Sequence, residues 1–256
     1  QTCALPILPK ILEITLFNGY DHVAKKQLGL KLGHAEDFKS YEELLEAYKR
    51  QIDYFVNIKV EGSNKITRLY AKYMPVPFLS IITDDCIGTG TDYNAGGARY
   101  NTNYLQGVGI GTITDSLAAI KYNVYDNKKF SMNELMKAVK DNFIGHEKIL
   151  NLVQNRTPKY GNDDDYADFI MKDIFNYYER NVTGRPNMRK GTWRINMLPT
   201  TCHVYFGEVM LASPNGRRAS TPVSEGISPE KGADVKGPTA VIKSASKMDH
   251  LKTGGT

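Results

Sequence analysis

Apolar residues first recur at helical spacing. Ile11, Leu12, Ile14, Leu16 and Phe17 follow Pro9 at a first turn, and Asn18-Gly19 supplies the stop, so a helix is predicted over 9–17. Ser40-Tyr41-Glu42-Glu43 is a capping box. Behind it Leu44, Leu45, Tyr48, Ile52, Phe55 and Val56 share one helical face, which continues through Ile66, Leu69 and Tyr73 until Pro75 and Pro77 end it. The short apolar run 77–82 reads as a buried strand that delivers Thr83-Asp84-Asp85-Cys86 to a glycine-rich loop over 87–101. Residues 105–113 are apolar and small, and Thr114-Asp115-Ser116 then leads into a helix at Leu117. Ser131 caps a helix through Val139, a short one follows over 146–153, and Asn162-Asp163-Asp164-Asp165 opens a third that runs to about Tyr178. Strands are predicted over 194–198 and 203–211, a loop over 224–238 and a helix over 239–251. Helices separated by single strands imply a mixed α/β domain with too few strands for a complete sheet, such as half of a barrel.

Composition narrows the class. The chain has 256 residues, 41% hydrophobic and 24% charged, and a net charge of +5. That is enough chain for a sizeable core. The basic excess is spread out, without a run of basic residues or a basic-aromatic array, which argues against nucleic-acid binding. No apolar run approaches the ~20 residues of a membrane span, and no signal peptide is recognisable. Cys3, Cys86 and Cys202 are an odd number without CxxC spacing, which fits a reduced, cytoplasmic protein; the sequons at Asn155 and Asn181 are then chance matches.

Candidate chemistry is sparse when taken residue by residue. Cys86 follows two carboxylates, which raise a thiol pKa, so it reads as an ordinary cysteine at a strand end. Cys202 and His203, neighbours on a predicted strand, face opposite sides and cannot form a dyad with each other. The five histidines show no metal-ligand spacing. The run Asp163-Asp164-Asp165 reads as compensation of a helix dipole. Gly107-x-Gly109-x-Gly111 lacks the spacing of a dinucleotide or P-loop site, and close backbone packing explains it as well. Arg99 in Gly96-Gly97-Ala98-Arg99-Tyr100-Asn101 and Arg217 in Asn215-Gly216-Arg217 could tie loop carbonyls or bind a carboxylate.

These motifs carry a resemblance. Gly96-Gly97-Ala98-Arg99-Tyr100-Asn101, Asp115-Ser116-Leu117-Ala118-Ala119-Ile120-Lys121, Tyr160-Gly161-Asn162-Asp163-Asp164, Pro214-Asn215-Gly216-Arg217-Arg218, Gly226-Ile227-Ser228-Pro229 and Gly237-Pro238-Thr239-Ala240 together resemble the glycyl radical enzyme family, over about 9–256. Pro199-Thr200-Thr201-Cys202-His203-Val204-Tyr205-Phe206-Gly207-Glu208 is most similar to the branch that dehydrates trans-4-hydroxy-L-proline. The resemblance implies an α/β fold, the second half of a ten-stranded barrel with surrounding helices. It also implies a radical lyase parent that converts this small molecule to pyrroline-5-carboxylate.

In that family a Cys-x-Glu loop forms the thiyl radical, and a glycine holds the radical installed by a separate S-adenosylmethionine iron–sulfur activase. Neither motif is found in this sequence: Cys3-Ala4-Leu5 has no Glu two residues on, and Cys86 and Cys202 fall at other positions. Residues 1–8 read as an unmatched leader and 9–256 as a partial pyruvate formate-lyase-like domain truncated at both ends. The chain alone is therefore expected to be inactive, with no catalytic residue, bound cofactor or metal of its own. Its expected partners are an activase and the small-molecule substrate, with no nucleic acid and no membrane, and the parent is expected to be a homodimer. Thr200 and Thr201 are expected to line the substrate pocket, while Arg99, Asn101, Asn215, Gly216 and Arg217 hold loops. The alternatives are another glycyl radical eliminase, such as a glycerol or diol dehydratase, or a non-catalytic domain that keeps the fold.

Overall fold

The structure, a computed structural model, describes residues 7–255. Cys3 and most of the 1–8 leader lie outside them. Helix α1 (Leu8–Leu16) starts with Pro9 in its first turn, where a missing N–H costs nothing. All nine of its residues are buried, Lys10 and Glu13 included. A small antiparallel pair follows, β1 (Tyr20–Asp21) with β2 (Lys26–Gln27). Helix α2 (Tyr41–Tyr73) begins where Ser40 Oγ accepts the Glu43 N–H at 3.2 Å. Leu44, Tyr48, Ile52, Val56 and Val60 form its buried seam, and each such side chain contributes roughly 1.5–3 kcal/mol on burial. That seam ends at Ser63: Ile66, Leu69 and Tyr73, predicted to extend it, are exposed.

The predicted buried strand over 77–82 is instead a one-turn helix, α3 (Pro77–Ile81), with Phe78 and Ile81 largely exposed. Pro77 sets a helical φ at the first position, and the Asp92 carboxylate accepts both the Val76 N–H at 2.9 Å and the Ser80 hydroxyl at 2.8 Å. Capping by a side chain from a later loop is tertiary and outweighs the apolar pattern. Cys86 opens another short helix, α4 (Cys86–Thr89), and so does not sit at a strand end.

Strand β3 (Asn103–Gln106) turns at Gly109, φ +85°, into α5 (Ile110–Ile120), which starts seven residues before the predicted Leu117 and is buried throughout. A π-helical segment, 121–126, continues it. Helices α6 (Met132–Lys140), α7 (Glu147–Asn155) and α8 (Asp165–Val182) match the predicted trio. Strand β4 (Trp193–Asn196) pairs parallel with β3, Leu105 opposite Ile195. Parallel bridges Ile7–Val108 and Ile195–Thr253 extend this pair on both sides, so the order across the sheet is Ile7, β3, β4, Thr253.

The predicted strand over 203–211 is helix α9 (Cys202–Glu208). Its run of Val204, Tyr205 and Phe206 has β propensity, but Tyr205 is exposed, and Gly207 is pressed so closely on the Thr221 carbonyl that a Cβ would overlap it. Cys202 and His203 are thus successive positions on a helix and not opposite faces of a strand. Helix α10 (Pro238–Ala245) and a single 3-10 turn at His250–Lys252 replace the one predicted helix over 239–251. A continuous apolar cluster runs from Leu8 to Met248, with α5 packed between α1 and α8. Among the described residues no helix is long and apolar enough to cross a membrane.

Candidate functional site at the strand ends

Alternation along β3 and β4 gives the sheet two unlike faces. Leu105, Trp193 and Ile195 point into the core, so Tyr104, Gln106, Arg194 and Asn196 share the opposite, polar face. Beside that face lies a cavity of about 220 Å³ lined by Tyr70, Tyr93, Tyr104, Gln106, Arg189 and Asn196. Parallel sheets keep their chemistry at the carboxyl ends of the strands, which here are residues 107–109 and 197–201. Gln106 Nε2 donates to the Leu198 carbonyl at 2.6 Å and joins the two ends.

Thr200 and Thr201 lie on the loop and first turn leading into α9, not on a strand. The Thr200 hydroxyl accepts the Cys202 N–H at 3.3 Å, and its carbonyl lies 2.6 Å from His203 Nδ1, which therefore carries the proton in that contact. Thr200 is half-buried and Thr201 exposed, and neither lines the cavity beside the polar face or the larger one between the Arg217 loop and residues 221–233. His203 also faces the Glu225 carboxylate at 3.6 Å.

The loop behind α9 is closed by Arg217. Its guanidinium donates to the carbonyls of Leu211, Arg218 and Thr221 and to Ser213 Oγ, with only 6% of the residue exposed. Burial lowers its pKa, and Glu230 and Glu13 oppose that. Asn215 Oδ1 accepts from the Ser213 hydroxyl and from the Arg217 N–H, and the Gly216 carbonyl accepts from Gln154 at 3.0 Å. Gly216 has φ +92°, which a side chain would resist. Arg99 pairs with Asp85 at 2.8 Å on the surface, and Asn101 Nδ2 donates to the carbonyls of Gly96 and Ala98. Asn101, Asn215 and Arg217 thus bond within their own loops, while Gly216 is held from α7 and Arg99 by Asp85.

A larger cavity, about 930 Å³, opens between this loop and residues 221–233. Fully buried Asp115 is among its lining residues; it accepts the Tyr160 N–H at 2.9 Å, with Lys159 Nζ 4.0 Å away. Burial pushes the Asp115 carboxyl up to about 7 against the pull of Lys159. Glu230, also raised by burial, accepts from Thr112 and Asn215.

Asn215, Gly216, Arg217 and His203 line this larger cavity, whereas Arg99, Asn101 and the remaining sequence candidates line neither. The buried Cys86 thiol is raised by burial and by Asp92 and Asp85, so it is a poor nucleophile. Asp164 caps α8, while Asp163, Asp165 and Asp168 converge on Lys247 at 3.3, 2.8 and 2.6 Å, so that acidic run is an ion-pair cluster as well as a helix start. Gly111 and Gly109 serve packing: a Cβ on Gly111 would stand 2.6 Å from the Ser228 carbonyl, and one on Gly109 would meet Pro9. Among the described residues no group of three or more His, Cys, Asp or Glu could hold a metal ion. Gln106 and Lys10 do not stand out in the sequence, and Asp115 does so only as part of a helix lead-in and a family motif. Each is a polar residue in a pattern that does not distinguish a buried face from a solvated one.

Comparison with known proteins adds to this geometry. The family model described as pyruvate formate lyase-like matches residues 2–207, and that described as glycine radical matches 223–256. The trans-4-hydroxy-L-proline dehydratase of Clostridioides difficile is 65% identical over 249 residues, 97% of this chain and 32% of that protein. The (2S)-3-sulfopropanediol dehydratase of Klebsiella oxytoca is 37% identical over 97% of this chain and 31% of its own length. The crystal structure of the Clostridioides difficile hydroxyproline dehydratase with trans-4-hydroxy-L-proline bound superposes with a TM-score of 0.96 at 64% identity, covering 98% of this chain and 32% of that one. The glycerol-bound B12-independent glycerol dehydratase of Clostridium butyricum gives 0.93 at 40% identity, with coverage of 98% and 32%. The chain thus spans about a third of the length of the relatives it matches.

Proposed function

This chain belongs to the pyruvate formate lyase-like family of glycyl radical enzymes, and from that premise we propose that it forms part of a radical dehydratase acting on trans-4-hydroxy-L-proline. The product is pyrroline-5-carboxylate, formed with loss of water. The observation that carries this reading is the 65% identity to a hydroxyproline dehydratase, against 37% to a sulfopropanediol dehydratase.

Residues 9–256 are read as part of one barrel, its second half, with the polar face of β3 and β4 turned toward the interior. Thr200 and Thr201, at the strand ends, are read as pocket lining, and the two hydroxyls suit a small polar substrate. The thiyl and glycyl groups would come from parts of the barrel other than the described residues. The radical would be installed by an activase that uses S-adenosylmethionine and an iron–sulfur cluster. A cytoplasmic homodimer completes the reading. A dry interior is what such intermediates need, so the isolated chain is expected to turn over no substrate.

A chimera tests this. Residues 9–255 replace the corresponding third of the Clostridioides difficile enzyme, which is then activated anaerobically with its own activase. Formation of pyrroline-5-carboxylate from trans-4-hydroxy-L-proline is expected, with a raised KM in the Thr200→Ala version. Dehydration of glycerol or a diol in place of hydroxyproline would select the second reading, which rests on the likeness to glycerol dehydratase.

A further inference from the structure

Lys10 and Glu13 stand three residues apart on α1, a spacing that on most helices marks a solvated pair. Here they are 8% and 5% exposed. Lys10 Nζ donates to Glu13 at 2.6 Å, to Asp21 at 2.8 Å and to the Val209 carbonyl at 2.8 Å, which uses all three ammonium protons. The other Glu13 oxygen accepts the Leu211 N–H at 2.9 Å. One helix thus holds the peptide groups on both sides of Met210, which is itself seated against Val108 and Val223.

Stability is a poor reason for such a cluster, because apolar side chains of similar volume often do as well as a buried ion group. Directional hydrogen bonds give something apolar packing does not, a fixed register. Val209 and Leu211 directly follow α9, whose seven residues span about 10 Å. The other end of that helix is Thr200-Thr201, where the Thr200 carbonyl takes the His203 backbone N–H at 3.3 Å.

We infer that Lys10 and Glu13 are positioning residues, which set the Thr200–Thr201 turn through α9. This rests on the reading of those threonines as pocket lining. Hydrogen exchange on the 256-residue chain tests the mechanical part without any activity. Glu13→Leu should speed exchange at Leu211 and at His203 roughly tenfold, about the loss of one hydrogen bond. Glu13→Gln, which keeps a carbonyl acceptor, should leave both near the parent rates. Equal behaviour of the two variants, or acceleration at Leu211 with none at His203, overturns the inference.

Where Glu13→Leu does not fold, the combined set Lys10→Met, Glu13→Leu and Asp21→Asn leaves no unpaired ion, and the same acceleration at His203 is expected. In the active chimera, Glu13→Leu should raise KM more than it lowers kcat, with recovery by Glu13→Gln; unchanged KM also overturns it. An inactive parent chimera would count against the proposed dehydratase and leave the exchange result standing.

Discussion

Gln106 Nε2 lies 2.6 Å from the Leu198 carbonyl, so one side chain on β3 fixes the backbone just past the end of β4. Gln106→Leu keeps the bulk and leaves that carbonyl without its donor. The expected loss is about 1–3 kcal/mol in urea unfolding. A change within experimental error would mean that the carbonyl finds water in place of the amide.

Gly111→Ala pits two effects against each other. Alanine gains up to about 1 kcal/mol of helix propensity over glycine. Its Cβ would stand 2.6 Å from the Ser228 carbonyl and 2.8 Å from the Glu230 N–H, too close for either to remain in place. Overpacking costs roughly 1–3 kcal/mol and should win, lowering Tm and exposing residues 226–233 to limited proteolysis. A raised Tm would show that this loop yields freely.

Arg217→Lys tests whether charge or geometry holds the loop behind α9. Lysine cannot reproduce a fork that serves three carbonyls and a hydroxyl. Arg217→Ala should cost about 3 kcal/mol or more, and Arg217→Lys should recover less than half of it in the same unfolding assay. Full recovery by lysine would mean that a point charge suffices.

Asp115 links stability to pH. Burial raises its carboxyl from 3.8 to about 7, so the folded state holds this proton more tightly than the unfolded state. Stability from this group is therefore fully present below its unfolded pKa and is lost as pH rises toward 7. Asp115→Asn keeps an acceptor for the Tyr160 N–H and removes the titration. The difference in Tm between about pH 5 and about pH 7.5 should shrink in the variant. An unchanged difference would place the pH dependence elsewhere.

The sequence made much of the fold legible where local rules agree with burial. The Ser40 and Ser131 caps and the Pro9 start all lie where the pattern puts them. It misled where a distant residue decides the local structure. Asp92 caps residues 77–81 into a helix, and Thr221 leaves room at 207 only for glycine on a helical turn. That the glycine-rich turn before Arg217 needs a tie was readable. Gln106 and Lys10 were not, since neither spacing nor type tells whether a polar side chain faces water or a carbonyl across the core.

The parallel pairings of β3 and β4 also bear on how the chain folds. Ile7 with Val108, Leu105 with Ile195 and Ile195 with Thr253 join positions about 60 to 100 residues apart, and such contacts form slowly because long loops must close first. Helices such as α2, α6 and α8 need only local contacts and a shared apolar face. The parallel sheet is then expected to assemble last, with refolding paced by how fast its strands find each other across helices already in place.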